Sequence, residues 1–311
     1  MTLNLVPRGL LYIQTVAEIG SVQGASRELG ISASAIDRQI LLMEARVDLK
    51  LFDRSPAGMT LTVAGQTFLI LARRWQLDCD GLSSELKSLQ GIEMGLVRIA
   101  VMDSQANGVL PDFVASMMRD MPGVQLNLEF VSPDNAVRDL RQGTVDIAMA
   151  FNVRQSGGLH SLWSADLPLG CVVARCHPLA KEATISLSQI SQYPIALQSH
   201  ALSIRKLLED RHEWLVNNSQ PPLTSNSLQF IKQMATAGSH LVITSELDVA
   251  REVIAGDLVF RPISDSDAPK QRVDIAIDAR RNLARIAIST AERLAEATSA
   301  LLERVRQTNA N

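Results

Sequence analysis

Residues 21–40 read SVQGASRELGISASAIDRQI. The stretch holds two short helical patterns around a Gly-Ile-Ser turn. In the first, over 22–29, Ala25 and Leu29 lie four apart on one face, and Gly30 offers a left-handed C-terminal position. Ser32 or Ser34 can cap the second, where Ile36, Ile40, Met43 and Val47 recur at spacings of 4, 3 and 4 as one buried stripe. With Ile36 and Ile40 inward, Ser34, Arg38 and Leu41 turn outward, Asp37 sits on the flank, and Gln39 lies nearer the stripe. Such a pair suits a helix laid in the major groove of DNA. A carboxylate at position 37 then needs a reason, because phosphates repel it.

The flanks complete a unit over residues 7–62. Pro7 suits the first turn of a helix carrying Leu10, Leu11, Ile13, Val16, Ala17 and Ile19, and Gly20-Ser21 ends it. After the third helix, Leu51-Phe52 and Thr60-Leu61 read as two short strands joined by RSPAGM, the pattern of a wing. Residues 62–90 read as one helix capped by Thr62. Phe68, Ala72, Trp75, Cys79, Leu82, Leu86 and Leu89 recur at 4, 3, 4, 3, 4 and 3, a heptad seam that favours dimerisation over packing on the helix's own domain. Cys79 on that seam acts as a small hydrophobe.

Gly91 to Gly95 breaks the helix. Alternating segments follow: strand 96–102, helix 112–121, strand 124–131, helix 135–143 and strand 145–151, which implies a parallel α/β sheet. A second α/β run starts near Leu167, and RVDIAIDA and a long helix to Arg306 close the chain. The 311 residues, 46% hydrophobic and 20% charged, can bury more than one core, and the net charge of -3 neither favours nor excludes nucleic acid. Three cysteines without a Cys-x-x-Cys pair make no disulfide framework and fit a reducing cytoplasm. The N-terminus lacks the pattern of a signal peptide, and no apolar run is long enough for a membrane span.

The stretch VAEIGSVQGASRELGISASAIDRQILLMEARVDLKLFDRSPAGMTLTVAGQ resembles the N-terminus of LysR-type transcriptional regulators. The match takes in Val16-Ala17-Glu18, Ala25, Ser32, Arg38-Gln39-Ile40, Glu44, Arg54 and Ala64-Gly65 without an insertion. It continues through Gly95 to Ala100, Leu110-Pro111, Gly143 to Ala148 and His177-Pro178-Leu179-Ala180. The resemblance implies a winged helix-turn-helix over 1–62 (motif 22–41), a linker and dimerisation helix over 63–90, and an effector domain over 95–306. That domain would resemble type 2 periplasmic binding proteins, with two Rossmann-like subdomains, about 95–163 with 266–306 and about 164–265. It also implies a bacterial, cytoplasmic, nucleoid-associated regulator. Its partners would be a pseudo-palindromic double-stranded promoter site, a small-molecule effector, copies of itself as homodimer or homotetramer, and RNA polymerase.

Ser32, Ala33, Ser34, Asp37, Arg38, Arg54 and Pro56 are the DNA-contact candidates under that resemblance. Charges over residues 1–65 cancel, so the domain's electrostatic footprint is modest and the placement of Arg38 and Arg54 matters more. Family members often carry Gln and Ser where this chain has Ala33 and Asp37. Ala33 offers only a methyl, for a thymine methyl. Asp37 can accept from a cytosine amino group, pair with Arg38 or Arg54, or only weaken binding.

Ligands of such α/β domains lie at the carboxyl ends of strands. This nominates Ser104, Gln105, Ser132, Ser199, His200 and Thr244 for the effector, although each hydroxyl is also a good helix cap. Together they suit a small anion or polar acid. Asp103 and the lack of an obvious cleft arginine argue against that, with Arg154 and Arg205 unplaced. The low aromatic content, 4%, disfavours a stacked aromatic effector. No HExxH, G-x-S-x-G, P-loop or G-x-G-x-x-G appears, so the sequence nominates no catalytic residue, metal site or cofactor. Redox sensing by Cys171 and Cys176 is an alternative, as is action without an effector. A small-molecule-binding protein without DNA function is another, but it has no use for residues 7–62.

Overall fold

The computed structural model describes residues 7–310 except 57, 91–92, 154–157, 200–202, 219–222, 269 and 282, and the side chains of 203, 216–218 and 310 are also left aside. Three helices, α1 (Arg8–Ile19), α2 (Val22–Leu29) and α3 (Ala33–Val47), precede the antiparallel hairpin β1 (Phe52–Ser55) and β2 (Gly58–Leu61). Local chemistry sets these boundaries. The Ser21 hydroxyl accepts from Gly24 N–H at 3.0 Å, and Gly30 ends α2 at φ 65°, a left-handed conformation that a side chain would strain. Ser32, not Ser34, caps α3, accepting from Ala35 N–H. Ile13, Val16, Ala25, Ile36, Ile40, Leu51 and Phe52 form the core. Met59 N–H donates to the Gly20 carbonyl at 2.8 Å and ties the hairpin to the turn between α1 and α2.

Helix α4 (Val63–Ser88) leaves this domain with its cap, Thr62, accepting from Gly65 N–H and donating to the Lys50 carbonyl. Gly65 is needed for close approach, since a Cβ there would collide with the Leu51 carbonyl. Further along, α4 lies against the effector domain through charge: Asp80 pairs with Arg98 at 2.8 Å, Arg74 with Asp278 at 3.6 Å and Asp78 with Arg281 at 3.7 Å.

The rest is α/β. In chain order the elements are β3 (Gly95–Val101), α5 (Leu110–Asp120), β4 (Val124–Phe130), α6 (Pro133–Gln142), β5 (Ile147–Phe151) and β6 (Leu159–Ala174). Then come α7 (Leu187–Ile190), β7 (Ile195–Gln198), α8 (Ser203–Asn218, kinked at His212), β8 (Leu223–Ser225), α9 (Leu228–Thr236) and β9 (Leu241–Ser245). The chain ends with α10 (Ala250–Ala255), β10 (Leu258–Pro262), β11 (Lys270–Asp278) and α11 (Arg285–Ala310). Strand order is β4-β3-β5-β11-β6-β9-β7-β8, with β10 on β6.

The parallel pairing expected from the strand–helix alternation holds for β4-β3-β5 and for β8-β7-β9. Strands β6, β10 and β11 run antiparallel to their neighbours, so the sheet is mixed. The reason is the double crossing. Residues 159–168 of β6 pair with β11, whereas 169–174 pair with β9 and β10. One strand thus serves both halves, and the first crossing falls between Pro168 and Leu169 rather than near 163. The second falls between β10 and β11.

Candidate nucleic-acid interface and ligand cleft

Helix α3 presents Ser34, Arg38, Leu41 and Leu42 to solvent. Arg38 makes no ion pair among the described residues and is available to a phosphate or a guanine edge. Ala33 is partly buried and packs against the winged-domain core. The Ser32 hydroxyl is taken by the cap. Gln39 is exposed and leans toward Gly9 of α1. Pro56 stands exposed at the wing tip.

Asp37 faces the wing. Its carboxylate lies 2.7 Å from the Arg54 guanidinium on β1. Both are about two-fifths exposed, at 35% and 44% for their side chains, so the pair is worth at most about 1 kcal/mol. Its effect is placement: the negative charge is offset and Arg54 is held beside α3. Asp37→Ser is expected to tighten binding to random-sequence DNA about two- to fivefold at fixed salt, by removing a charge that repels phosphates and releasing Arg54. An unchanged affinity by fluorescence anisotropy excludes that role.

The seam candidates on α4 divide. Phe68 packs against the winged-domain core and Ala72 is buried, so neither is free to meet a second chain. Trp75, Leu82, Leu86 and Leu89 are exposed, and Leu71 joins them. Cys79 is half-buried. Leu71 and Trp75 lie four apart, and Leu82, Leu86 and Leu89 continue at 4 and 3, so a heptad stripe remains with a different first member. The winged domain captures the first turns of the stripe because α4 starts packed on it.

Between the two sheet halves lies a cavity of about 320 Å³. Ser104, in the turn after β3, and Ser132, which caps α6, line it. Gln105 and Thr244 do not. Both are fully buried behind it, where Gln105 Nε2 reaches the Ser104 hydroxyl at 3.0 Å and Thr244 donates to Asp248 Oδ2 at 2.7 Å. Ser199 is not among the lining residues, and His200 lies outside the described residues. The sequence reading missed Asp248, Gln198, Gln271 and Asn226 among the polar walls, and Phe130, Phe151, Ile204 and Leu228 among the apolar ones. Few as the aromatics are, two of them stand here, which removes the composition argument against an aromatic ligand. Arg205 pairs with Glu209 at 2.6 Å and is absent from the lining; Arg154 lies outside the described residues.

Asp248 is buried. Burial pushes its carboxyl above the usual carboxylate range, and hydrogen bonds from Thr244, Ser245 and Ser104 only partly oppose this. Lys232, on α9, bonds the Asp248 backbone carbonyl and pairs with Glu252 of α10, not with the Asp248 side chain. Because the carboxyl pKa is raised in the fold, the unfolded chain releases its proton first as pH rises. Native stability therefore falls as pH climbs from the unfolded to the folded value. Asp248→Asn is expected to remove that fall. Urea titrations from about pH 4 upward check it; wild-type and variant curves that stay parallel would refute the assignment.

Cys171 lies buried on β6 with its thiol pushed up to about 12 by burial, while Cys176 is exposed in the turn that follows. A thiol held that high is a poor nucleophile at neutral pH, so Cys171 packs as a small buried hydrophobe. The His177 ring accepts from Leu179 N–H and packs edge-on to Tyr193 at 4.7 Å, a structural role. Among the described residues no cluster could hold a metal ion, and no helix is long and apolar enough to cross a membrane.

The profile of the bacterial regulatory helix-turn-helix proteins of the lysR family matches residues 7–66, and that of the LysR substrate binding domain matches 90–300, well over half the chain. The protein belongs to the LysR family. Its relatives are transcriptional regulators rather than enzymes. The chain is 26% identical over 273 residues to the HTH-type transcriptional regulator CbbR of Rhizobium meliloti (strain 1021), covering 86% of each. It is 26% identical over 242 residues to the RuBisCO operon transcriptional regulator of Allochromatium vinosum, covering 76% of this chain and 78% of that one. Among solved structures, full-length CbnR complexed with its target DNA aligns at TM-score 0.61 and 19% identity, over 93% of this LysR-family chain and 99% of that one. ArgP from Mycobacterium tuberculosis aligns at TM-score 0.68 and 18% identity, over 95% and 98%. At such identities the structural likeness is one of fold.

Proposed function

We propose that this LysR-family regulator reads a two-fold symmetric promoter site in the bacterial cytoplasm as a homo-oligomer, and that a small molecule in the inter-subdomain cleft resets the geometry of that reading. The observation that carries the proposal is the pairing of α3 with the wing. Arg38 is exposed on the helix, and Arg54 is held beside it by Asp37. Ser34 on α3 and Pro56 on the wing are exposed as well. Two such heads, joined through the α4 stripe, reach two half-sites, which matches a pseudo-palindrome to protein symmetry.

The cleft supplies the control point. It sits where β6 changes sheets, so a ligand that touches both halves biases their closure. Helix α4 is salt-bridged to the effector domain and continuous with the winged domain, so closure has a covalent path to the DNA-reading heads. A protein that binds ligand without DNA leaves residues 7–66 unused.

The test is a gel shift of the protein's own promoter region across a salt series. Binding that weakens steeply with salt supports the reading. No shift at low salt overturns it.

A further inference from the structure

The charge of the cleft runs opposite to what a small acid needs. Its polar walls include two carboxylates, Asp103 and Asp248, and among the described residues no lysine, arginine or histidine lines it. Asp248 is the more telling. Its side chain is buried, and among the described residues the hydrogen bonds it accepts come from neutral groups: the Thr244 hydroxyl at 2.7 Å, the Ser245 hydroxyl at 2.9 Å and backbone N–H at 3.4 Å, Gln105 Nε2 at 3.5 Å, and Ser104. Among the described residues it forms no ion pair. Lys232, the cation on the neighbouring helix, is committed to Glu252. A buried carboxylate is normally paired, because leaving it without an opposite charge is costly. The cleft instead leaves this one facing a cavity.

The other walls say what the ligand's body is. Met102, Phe130, Phe151, Ile204 and Leu228 make much of the lining apolar, and the amides of Gln198 and Gln271 add acceptors as well as donors. The volume, about 320 Å³, lies at the small end for ligand pockets.

We infer that the effector of this regulator is a small organic cation, a primary amine or guanidine on an apolar body, whose charged nitrogen seats against Asp248 with Asp103 at the mouth. The inference rests on the reading of the cleft as the effector site. It reverses the expectation of an anion, and the reason is tertiary: of the hydroxyls nominated from sequence, Ser132 serves as a cap and Ser104 and Thr244 donate to Asp248. Those donors hold the carboxylate in place, and the incoming cation supplies the charge that the fold omits. Asp103 is exposed and adds attraction from the entrance.

Calorimetric titration of the full-length protein with two matched series tests this: hexylammonium, hexanoate and hexanol, then phenethylammonium, hydrocinnamate and phenethyl alcohol. Each ammonium is expected to bind at least about tenfold more tightly than its matched acid and alcohol. Asp248→Asn is expected to reduce that preference to within about twofold. If that variant does not fold, Asp103→Asn, at the exposed mouth, is expected to lower the preference in part. Acids that bind as tightly as amines overturn the inference, as does a preference untouched by either substitution, or a failure of both amines to bind at millimolar concentration. Promoter footprints with and without each compound separate this from the underlying reading. An amine that binds through Asp248 and leaves the footprint unchanged upholds the cation site and removes its regulatory role. An acid that binds in the cleft and shifts the footprint does the reverse.

Discussion

Replacing Leu82 and Leu86 together with glutamate is expected to yield a monomer and to weaken binding to the intact promoter site at least about a hundredfold. The two side chains are exposed on α4 along with Leu71, Trp75 and Leu89, the last at 78%. Single exposed leucines need no explanation, but a heptad-spaced apolar stripe along α4 and its C-cap Leu89 is the pattern of a helix–helix interface. Two carboxylates per chain in that stripe would have to be buried facing their symmetry mates, and like charges there cost more than the seam contributes. The monomer loses the second half-site contact, and with it the gain in effective concentration that joins two weak heads into one tight reader. The fold itself should survive, because these positions already face solvent. Sedimentation and gel shift on the same preparation decide the matter, and a variant that remains a dimer excludes the stripe. Phe68 and Ala72 supply a contrast. Substitution there should lower the melting temperature, since Phe68 packs on the winged-domain core and Ala72 is buried.

Glu44→Ala is expected to destabilise the winged domain by about 2–5 kcal/mol and to abolish promoter binding at physiological temperature. Glu44 lies on the inner side of α3 and is buried. Its Oε1 accepts from Leu51 N–H at 2.8 Å and Phe52 N–H at 3.3 Å, and its Oε2 takes the Lys50 ammonium at 3.0 Å. The carboxylate thus anchors the entry of β1 to the recognition helix. Its removal strands two buried backbone donors beside a new cavity. Against a domain stability of about 5–15 kcal/mol, that loss is large. Burial alone would raise the Glu44 pKa. The bonds from Leu51, Lys50 and Phe52 outweigh it and hold the carboxyl below its ordinary value. Its contribution is therefore fully present above the unfolded pKa and is lost as pH falls through the lower folded value. Thermal melts of wild type and variant at neutral and acid pH check both statements. The gap should narrow in acid, and a variant melting within a degree or two of wild type at neutral pH rules out the anchor role.

Much of the DNA-reading half was legible because its signals are local. Ser21, Ser32, Thr62, Gly20 and Gly30 act on backbone groups within a few residues of themselves, so their chemistry reads directly from spacing. The apolar faces of α1 and α3 repeat with the helical period for the same reason. The seam was half legible. Its period identified an apolar stripe, but which turns of α4 the winged domain would claim depends on how the helix leaves that domain, and this exchanged Phe68 and Ala72 for Leu71. The first half of β6, LHSLWSADLP, is illegible as a strand because the polar–apolar alternation breaks at His160-Ser161 and Leu162-Trp163 and a proline closes it. Only the pairing with β11 shows it to be a strand.

The sequence by itself determined the helix-turn-helix, the wing, the long linker helix and the alternation of strands and helices, because caps, turns and periodic faces are decided by neighbours along the chain. The tertiary structure decided the charges. Asp37 meets Arg54 across the gap between α3 and the wing, Glu44 reaches the first residues of β1, and Asp248 sits in the cleft held by neutral donors. Each of these carboxylates reads in sequence as one more solvated charge. What a carboxylate does depends on the dielectric around it and on which opposite charge lies within a few ångströms, and both are set by residues far away in the chain.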